Sequence, residues 1–177
     1  MPVPGILIKY TPGDVETNEE LKREGVKVDF YVTSGDPSSK NFVTNSRIRK
    51  AINSAGLMQE KPFKIGGMTF SYGAKAATLV WEDYYPFVRA GGEKSVFAGK
   101  GIASLLEYNV LVKAKEFFPK VKRVSHIAPS DSRARQLRKR GIWVWEFLGR
   151  EFLGLRSASY SYEKALSVIR KKIAREA

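Results

Sequence analysis

The segment Ala98-Gly99-Lys100-Gly101-Ile102-Ala103-Ser104 constrains this chain more than any other. It follows β-rich sequence and opens a stretch, Gly101 to Phe118, in which Ile102, Leu105, Leu106, Val110 and Phe117 recur at helical spacing until Pro119 stops it. Two glycines and an alanine let the backbone come close to a ligand, and the first amides of a helix have no intrahelical partner. Such a helix start is an anion site, because free N–H groups and the positive end of the dipole converge there. Alone, the Gly-x-Gly pattern fits a structural turn as well as a phosphate cradle. It lacks the third glycine of a dinucleotide fingerprint and the Gly-Lys-Ser/Thr ending of a nucleotide P-loop.

The rest of the chain predicts strands mixed with helices, and hence one α/β domain over residues 1–177. Ile6 to Tyr10 reads as a strand ended by Thr11-Pro12-Gly13-Asp14. Thr17 and Glu20 form a capping-box pattern for a short helix closed by Gly25. Val26, Val28, Phe30 and Val32 alternate with polar residues as in a half-buried strand, and Ile48, Ile52 and Ala55 mark a helix ended by Gly56. Strands are predicted at Thr69–Tyr72, Ala77–Glu82, Tyr84–Arg89 and Val121–Ala128, with a helix at Ser132–Arg140 closed by Gly141. Ile142–Leu148 and Glu151–Leu155 flank Gly149-Arg150 as a hairpin. Tyr162, Leu166, Ile169 and Ile173 define a last helix.

Charge is the unusual bulk property: 31 Lys and Arg against 18 Asp and Glu give +13. That balance favours a polyanionic partner, whether nucleic acid, acidic membrane or a phosphorylated cofactor, without choosing among them. With no cysteine, disulfides, thiolate metal sites and a cysteine nucleophile are excluded, and one histidine makes any metal site improbable. No window is apolar enough for a membrane span, and Met1-Pro2-Val3-Pro4-Gly5 does not resemble a secretion signal, so a cytoplasmic location is expected.

A second motif lies about 25 residues after the turn: Pro129-Ser130-Asp131-Ser132-Arg133-Ala134-Arg135-Gln136-Leu137-Arg138-Lys139-Arg140-Gly141-Ile142. Together the two segments resemble the Gcn5-related N-acetyltransferase family. That family carries an Arg/Gln-x-x-Gly-x-Gly/Ala turn opening a helix, then a strand, then an Asn-x-x-Ala-x-x-Leu-Tyr-x-x-x-Gly-Phe helix. Gly101 and Ala103 take the turn's small positions, while Asp131, Ala134, Leu137, Gly141 and Ile142 match or conservatively replace the second pattern. The likeness covers about residues 96–148, and residues 1–60 diverge.

The resemblance implies a single-domain acyl-CoA N-acyltransferase fold, a central mixed sheet with two splayed strands flanked by helices. Acetyl-CoA or coenzyme A would lie in the splay, its pyrophosphate on Ala98, Gly99, Lys100, Gly101, Ile102, Ala103 and Ser104, with Asp131 and Ser132 nearby. The acetyl group would pass directly to an amine acceptor, on a small molecule, a protein, or an aminoacylated or ribonucleoprotein substrate. Orientation and amides polarising the thioester supply most of such an acceleration. Two residues depart from the pattern. Ala98 replaces the leading Arg or Gln, and Arg138 replaces the tyrosine that serves the departing thiolate. Arginine stays protonated at neutral pH, so Arg138 can stabilise an anion but cannot supply a proton. The alternative is a catalytically inactive relative that binds nucleic acid through its basic surface.

Glu82 and Asp83, at the end of an apolar strand, either supply the general base or cap the strand in solvent, and Glu93 is a weaker candidate base. His126 is expected to be packed or hydrogen-bonded rather than catalytic. Arg133, Arg135, Arg138, Lys139 and Arg140 are expected to form a mostly solvated basic face, with some reaching coenzyme A phosphates or a nucleic-acid backbone. Arg47, Arg49 and Lys50 form a second such cluster. Trp81, Tyr84, Tyr85 and Phe87 either line an acyl or acceptor pocket or pack in the core, and core packing is the expectation for them and for Trp143, Trp145 and Phe147, whose alternation predicts one buried strand face.

Overall fold

The computed structural model describes residues 1–17, 21–57, 61–85, 87, 95–127, 129–146 and 156–176. They form an α/β structure, one eight-stranded mixed sheet with four helices. Strands β1 (Val3–Glu16) and β2 (Lys22–Gly35) make a long antiparallel hairpin, and β3 (Phe42–Val43) pairs briefly with β1. Helix α1 (Ser46–Ser54) leads to β4 (Phe63–Gly73) and β5 (Thr78–Tyr85). Helix α2 (Ile102–Phe117), strand β6 (Arg123–Ile127) and helix α3 (Asp131–Lys139) follow. Strands β7 (Trp145–Glu146) and β8 (Arg156–Ser161) and helix α4 (Tyr162–Glu176) complete the order. Across the sheet the strands run β3-β1-β2-β4-β5-β6-β8-β7. All neighbours are antiparallel except β5 and β6.

Registered partners share a side of a sheet. Ile8 opposes Phe30, Val28 opposes Met68, Phe70 opposes Trp81, and His126 lies between Trp81 and Ala158. All of these are buried, and all but His126 belong to one hydrophobic core cluster with Ile48 and Ile52 of α1, Leu106 and Val110 of α2, Leu137 of α3 and Ile169 of α4. Each large side chain so buried contributes roughly 1.5–3 kcal/mol.

Several expectations are corrected. The short helix closed by Gly25 does not form: residues 22–25 belong to β2, and Glu20 lies outside the described residues. Thr17 instead ties the hairpin, its Oγ1 accepting from the Leu21 amide at 3.2 Å and its own amide donating to the Leu21 carbonyl at 2.8 Å. Thr11 to Asp14 continue β1 rather than turn. Pro12 is tolerated because β3 pairs with β1 only at Ile6 and Leu7, leaving an edge where no partner needs its missing N–H. One strand, Phe63–Gly73, replaces the shorter Thr69–Tyr72. The Tyr84–Arg89 strand is the end of β5 as far as Tyr85, and residues 86 and 88–90 lie outside the described residues.

Residues 147–155, and with them Phe147 and the Gly149-Arg150 turn, also lie outside the described residues. Trp143 and Trp145 are not on a buried face: they are 72% and 47% exposed, while Ile142 and Val144 are buried instead. No helix among the described residues is long and apolar enough to cross a membrane.

Candidate functional site, a basic cleft at the parting of two strands

The parallel strands β5 and β6 pair from Thr78 with Arg123 to Trp81 with His126. Pairing stops at that pair, although β5 runs on to Tyr85 and β6 to Ile127. Glu82 is an extra residue opposite β4, since Asp83 pairs with Thr69 and Trp81 with Phe70. Such a bulge bends a strand and raises its local twist. Beyond the ladder lies a cleft of about 1110 Å³. Tyr84, Tyr85 and Phe87 line one wall, Ala98, Gly99 and Ala103 a second, and Ser130, Ser132 and successive turns of α3 a third.

The glycine-rich turn sits where the sequence placed it, between the sheet and α2. Gly99 and Gly101 have φ of 73° and 72°, left-handed values that favour glycine. A side chain at Gly99 would meet nothing within 4 Å, so backbone conformation rather than crowding selects glycine there. The carbonyl of Gly101 accepts the first helical bond from Leu105 at 3.3 Å, and no side chain caps α2. The first-turn amides of α2 are therefore left to a ligand or to water. In contrast, the Ser130 side chain caps α3, accepting from the Arg133 amide at 3.2 Å.

The expected cofactor residues divide between two surfaces. Ala98, Gly99, Ala103 and Ser132 line the cleft. Lys100, Gly101 and Ile102 border a smaller groove with Asn45 and Arg47, and Arg47 donates to the Lys100 carbonyl at 3.4 Å. Ser104 is buried and accepts from Arg140 at 3.4 Å. Asp131 is exposed and paired with Arg156. Of the expected catalytic groups, Glu82 accepts from the buried Ser71 hydroxyl at 2.6 Å, Asp83 is exposed, and Arg138 is exposed on α3. None of these three is among the residues lining the cleft, and Glu93 lies outside the described residues.

The cleft-lining cations are Arg133, Arg135, Lys139 and Lys172, and no carboxylate accompanies them among the described lining residues. Beneath them lies a polar network that the sequence did not reveal. Glu107, fully buried on α2, accepts from Arg133 at 2.5 and 3.3 Å, from Arg140 at 3.2 Å and from the Tyr84 hydroxyl at 3.0 Å. The Arg133 guanidinium also lies 3.9 Å from the centre of the Tyr84 ring and donates to Gln136 at 2.5 Å. Burial alone would raise the Glu107 pKa, but Arg133 and Arg140 outweigh it and hold the carboxyl at about 2. Tyr84 is raised by burial, so it stays a neutral donor. One carboxylate against two guanidiniums leaves an excess positive charge beneath the cleft.

His126 is buried, with Nε2 2.7 Å from the Tyr160 hydroxyl and its ring stacked between Trp81 and Tyr160. Burial, reinforced by the nearby Arg133, lowers its pKa well below the usual value. It is a packed residue, as expected. Among the five basic residues of the second motif, Arg133 and Arg140 turn inward, whereas Arg135, Arg138 and Lys139 are exposed.

Compared with known protein families and with curated proteins, the chain matches none.

Proposed function

We propose that the chain is an acyl-CoA-dependent N-acyltransferase of the Gcn5-related type, with the cleft between β5 and β6 holding acetyl-CoA. The observation that carries this reading is the conjunction at one cleft of a parallel ladder that stops short, a left-handed glycine turn opening an uncapped helix, and cations with no carboxylate among the described lining residues. The 3′-phosphate and pyrophosphate of coenzyme A are polyanionic, and a helix start with Arg135, Lys139 and Lys172 in the same cleft suits them. Pantetheine would run along the free end of β5. Backbone orientation then does most of the work as the amine attacks the thioester carbonyl and the thiolate departs. Arg135 and Lys139, which line the cleft, are better placed than Arg138 to stabilise that thiolate. Glu82 and Asp83 remain the candidate bases, acting through water from the bulge.

Calorimetry with acetyl-CoA and with coenzyme A tests the reading. Binding should raise the melting temperature, as for any ligand selective for the folded state. Ala103→Glu should keep the fold, because glutamate is a good helix former, and lose the ligand by bulk and like charge at the cradle. Absence of binding by the wild type at millimolar ligand, or unchanged binding by the folded variant, overturns it.

A further inference from the structure

The side of β6, β8 and β7 facing away from the core is a second surface with its own chemistry. Ile127, Ser157 and Trp145 form one row across these strands, and Ser125 with Ser159 forms the next. Arg123 donates to the Ser159 hydroxyl from Nε at 3.2 Å and Nη2 at 3.1 Å, and the Ser125 and Ser159 hydroxyls are 3.1 Å apart. None of these residues is buried, and no carboxylate occupies an outward position on β6 or β8. Trp143, two residues before Trp145, is the most exposed aromatic side chain of the described residues. Lys164, in the first turn of α4, donates to the Gly141 carbonyl at 3.1 Å, two residues before Trp143, and Arg138 lies in the last turn of the helix before that.

Tryptophan is seldom left so open in a folded chain, and two exposed ones, Trp145 on edge strand β7 and Trp143 in the segment leading into it, make a contact site rather than a pocket. Bases have apolar faces and a phosphodiester backbone carries negative charge. Exposed indoles among hydroxyl and cationic donors offer both partners. We propose that this face is a docking platform for single-stranded nucleic acid. Bases stack on Trp143 and Trp145, and the backbone phosphates meet Arg123, Lys164 and the serine hydroxyls. The +13 charge of the chain supplies the long-range attraction. Duplexes fit less well because their base faces are already stacked. A second copy of the chain fits less well because it carries the same charge. The platform lies outside the residues lining the acyl-CoA cleft, so it stands whether or not acyl transfer occurs.

The test is fluorescence anisotropy of a labelled oligothymidylate with the full chain at several salt concentrations, beside a duplex of equal length. Single-stranded DNA should bind more tightly than the duplex and quench tryptophan emission. Trp143→Ala and Trp145→Ala should each weaken binding roughly fivefold or more, whereas Trp145→Phe, which keeps a stacking face, should lose less. Arg123→Ala should flatten the log–log salt slope by about 0.7, the share of one single-strand phosphate. Circular dichroism and melting should match the wild type, because the tryptophans are exposed. Four results overturn the proposal: no binding at low salt, alanine variants that bind as the wild type does, a preference for duplex, or a wild-type dimer that the tryptophan variants dissociate. Calorimetry with acetyl-CoA on the same variants should be unchanged, which separates this failure from failure of the acyltransferase reading.

Discussion

His126 is the only histidine in the chain, so one side chain governs stability between pH 7 and 5. In the unfolded chain an imidazole takes up its proton near pH 6.5, as model peptides do. In the folded chain it is 2% exposed, held by Tyr160 and close to Arg133, and its pKa is lowered well below that value. Below pH 6.5 the unfolded state therefore binds more protons than the folded state, and stability falls as the pH falls. The limiting slope is about 1.4 kcal/mol per pH unit, and the loss accumulated by pH 5 has an upper bound of about 2 kcal/mol. For a chain of this size that is a melting-temperature drop of about 4–8 °C. Urea unfolding at half-unit steps from pH 7.5 to 5 measures it. His126→Gln, which retains a hydrogen-bonding group for Tyr160, should flatten the profile. A wild type equally stable at both ends, or a slope that survives in the variant, would refute the reasoning.

Glu107→Gln leaves Arg133 and Arg140 buried without their counter-charge, so about 3–5 kcal/mol should be lost in urea unfolding at neutral pH. Because the Glu107 pKa is held at about 2, the wild-type pair should also lose stability as pH falls from about 4.3 toward 2, a phase missing in the variant. Gly25→Ala should destabilise by at least about 1–3 kcal/mol, since its Cβ would stand 2.2 Å from the Phe70 carbonyl oxygen and 2.6 Å from Val15 Cγ2. An unchanged unfolding midpoint for that variant would show that β2 and β4 do not approach so closely in solution.

All four helices were legible because their signals are local. Ile48 and Ile52 fall on one face, and Pro119 and Gly141 act as stops. The strands were less so. Thr17, Glu20 and Gly25 mimic a capped helix, but the long ladder between β1 and β2 overrides those local preferences. Strand β8 escaped notice because Arg156-Ser157-Ala158-Ser159-Tyr160-Ser161 lacks β-branched residues, and its place is set by pairing with β6. Trp143 and Trp145 were given the wrong side, since alternation defines two faces without saying which is inside. At the site, the glycine turn was readable as a contiguous motif. The Glu107–Arg133–Arg140–Tyr84 network was not, because it joins three elements far apart in sequence.

The two halves of the sheet are joined unevenly. Pairing between β1 and β2 runs from Val3 to Glu16, whereas β5 and β6 are laced together only from Thr78 to Trp81. That seam is the shortest between interior strands, and amides along it should exchange with deuterium sooner than those at the centre of the hairpin. It also ends at the mouth of the cleft. Any loosening there would draw Tyr84 away from Arg133 of α3, whose guanidinium lies 3.9 Å from its ring. A ligand that spans the cleft would lock the seam and slow exchange across both halves together.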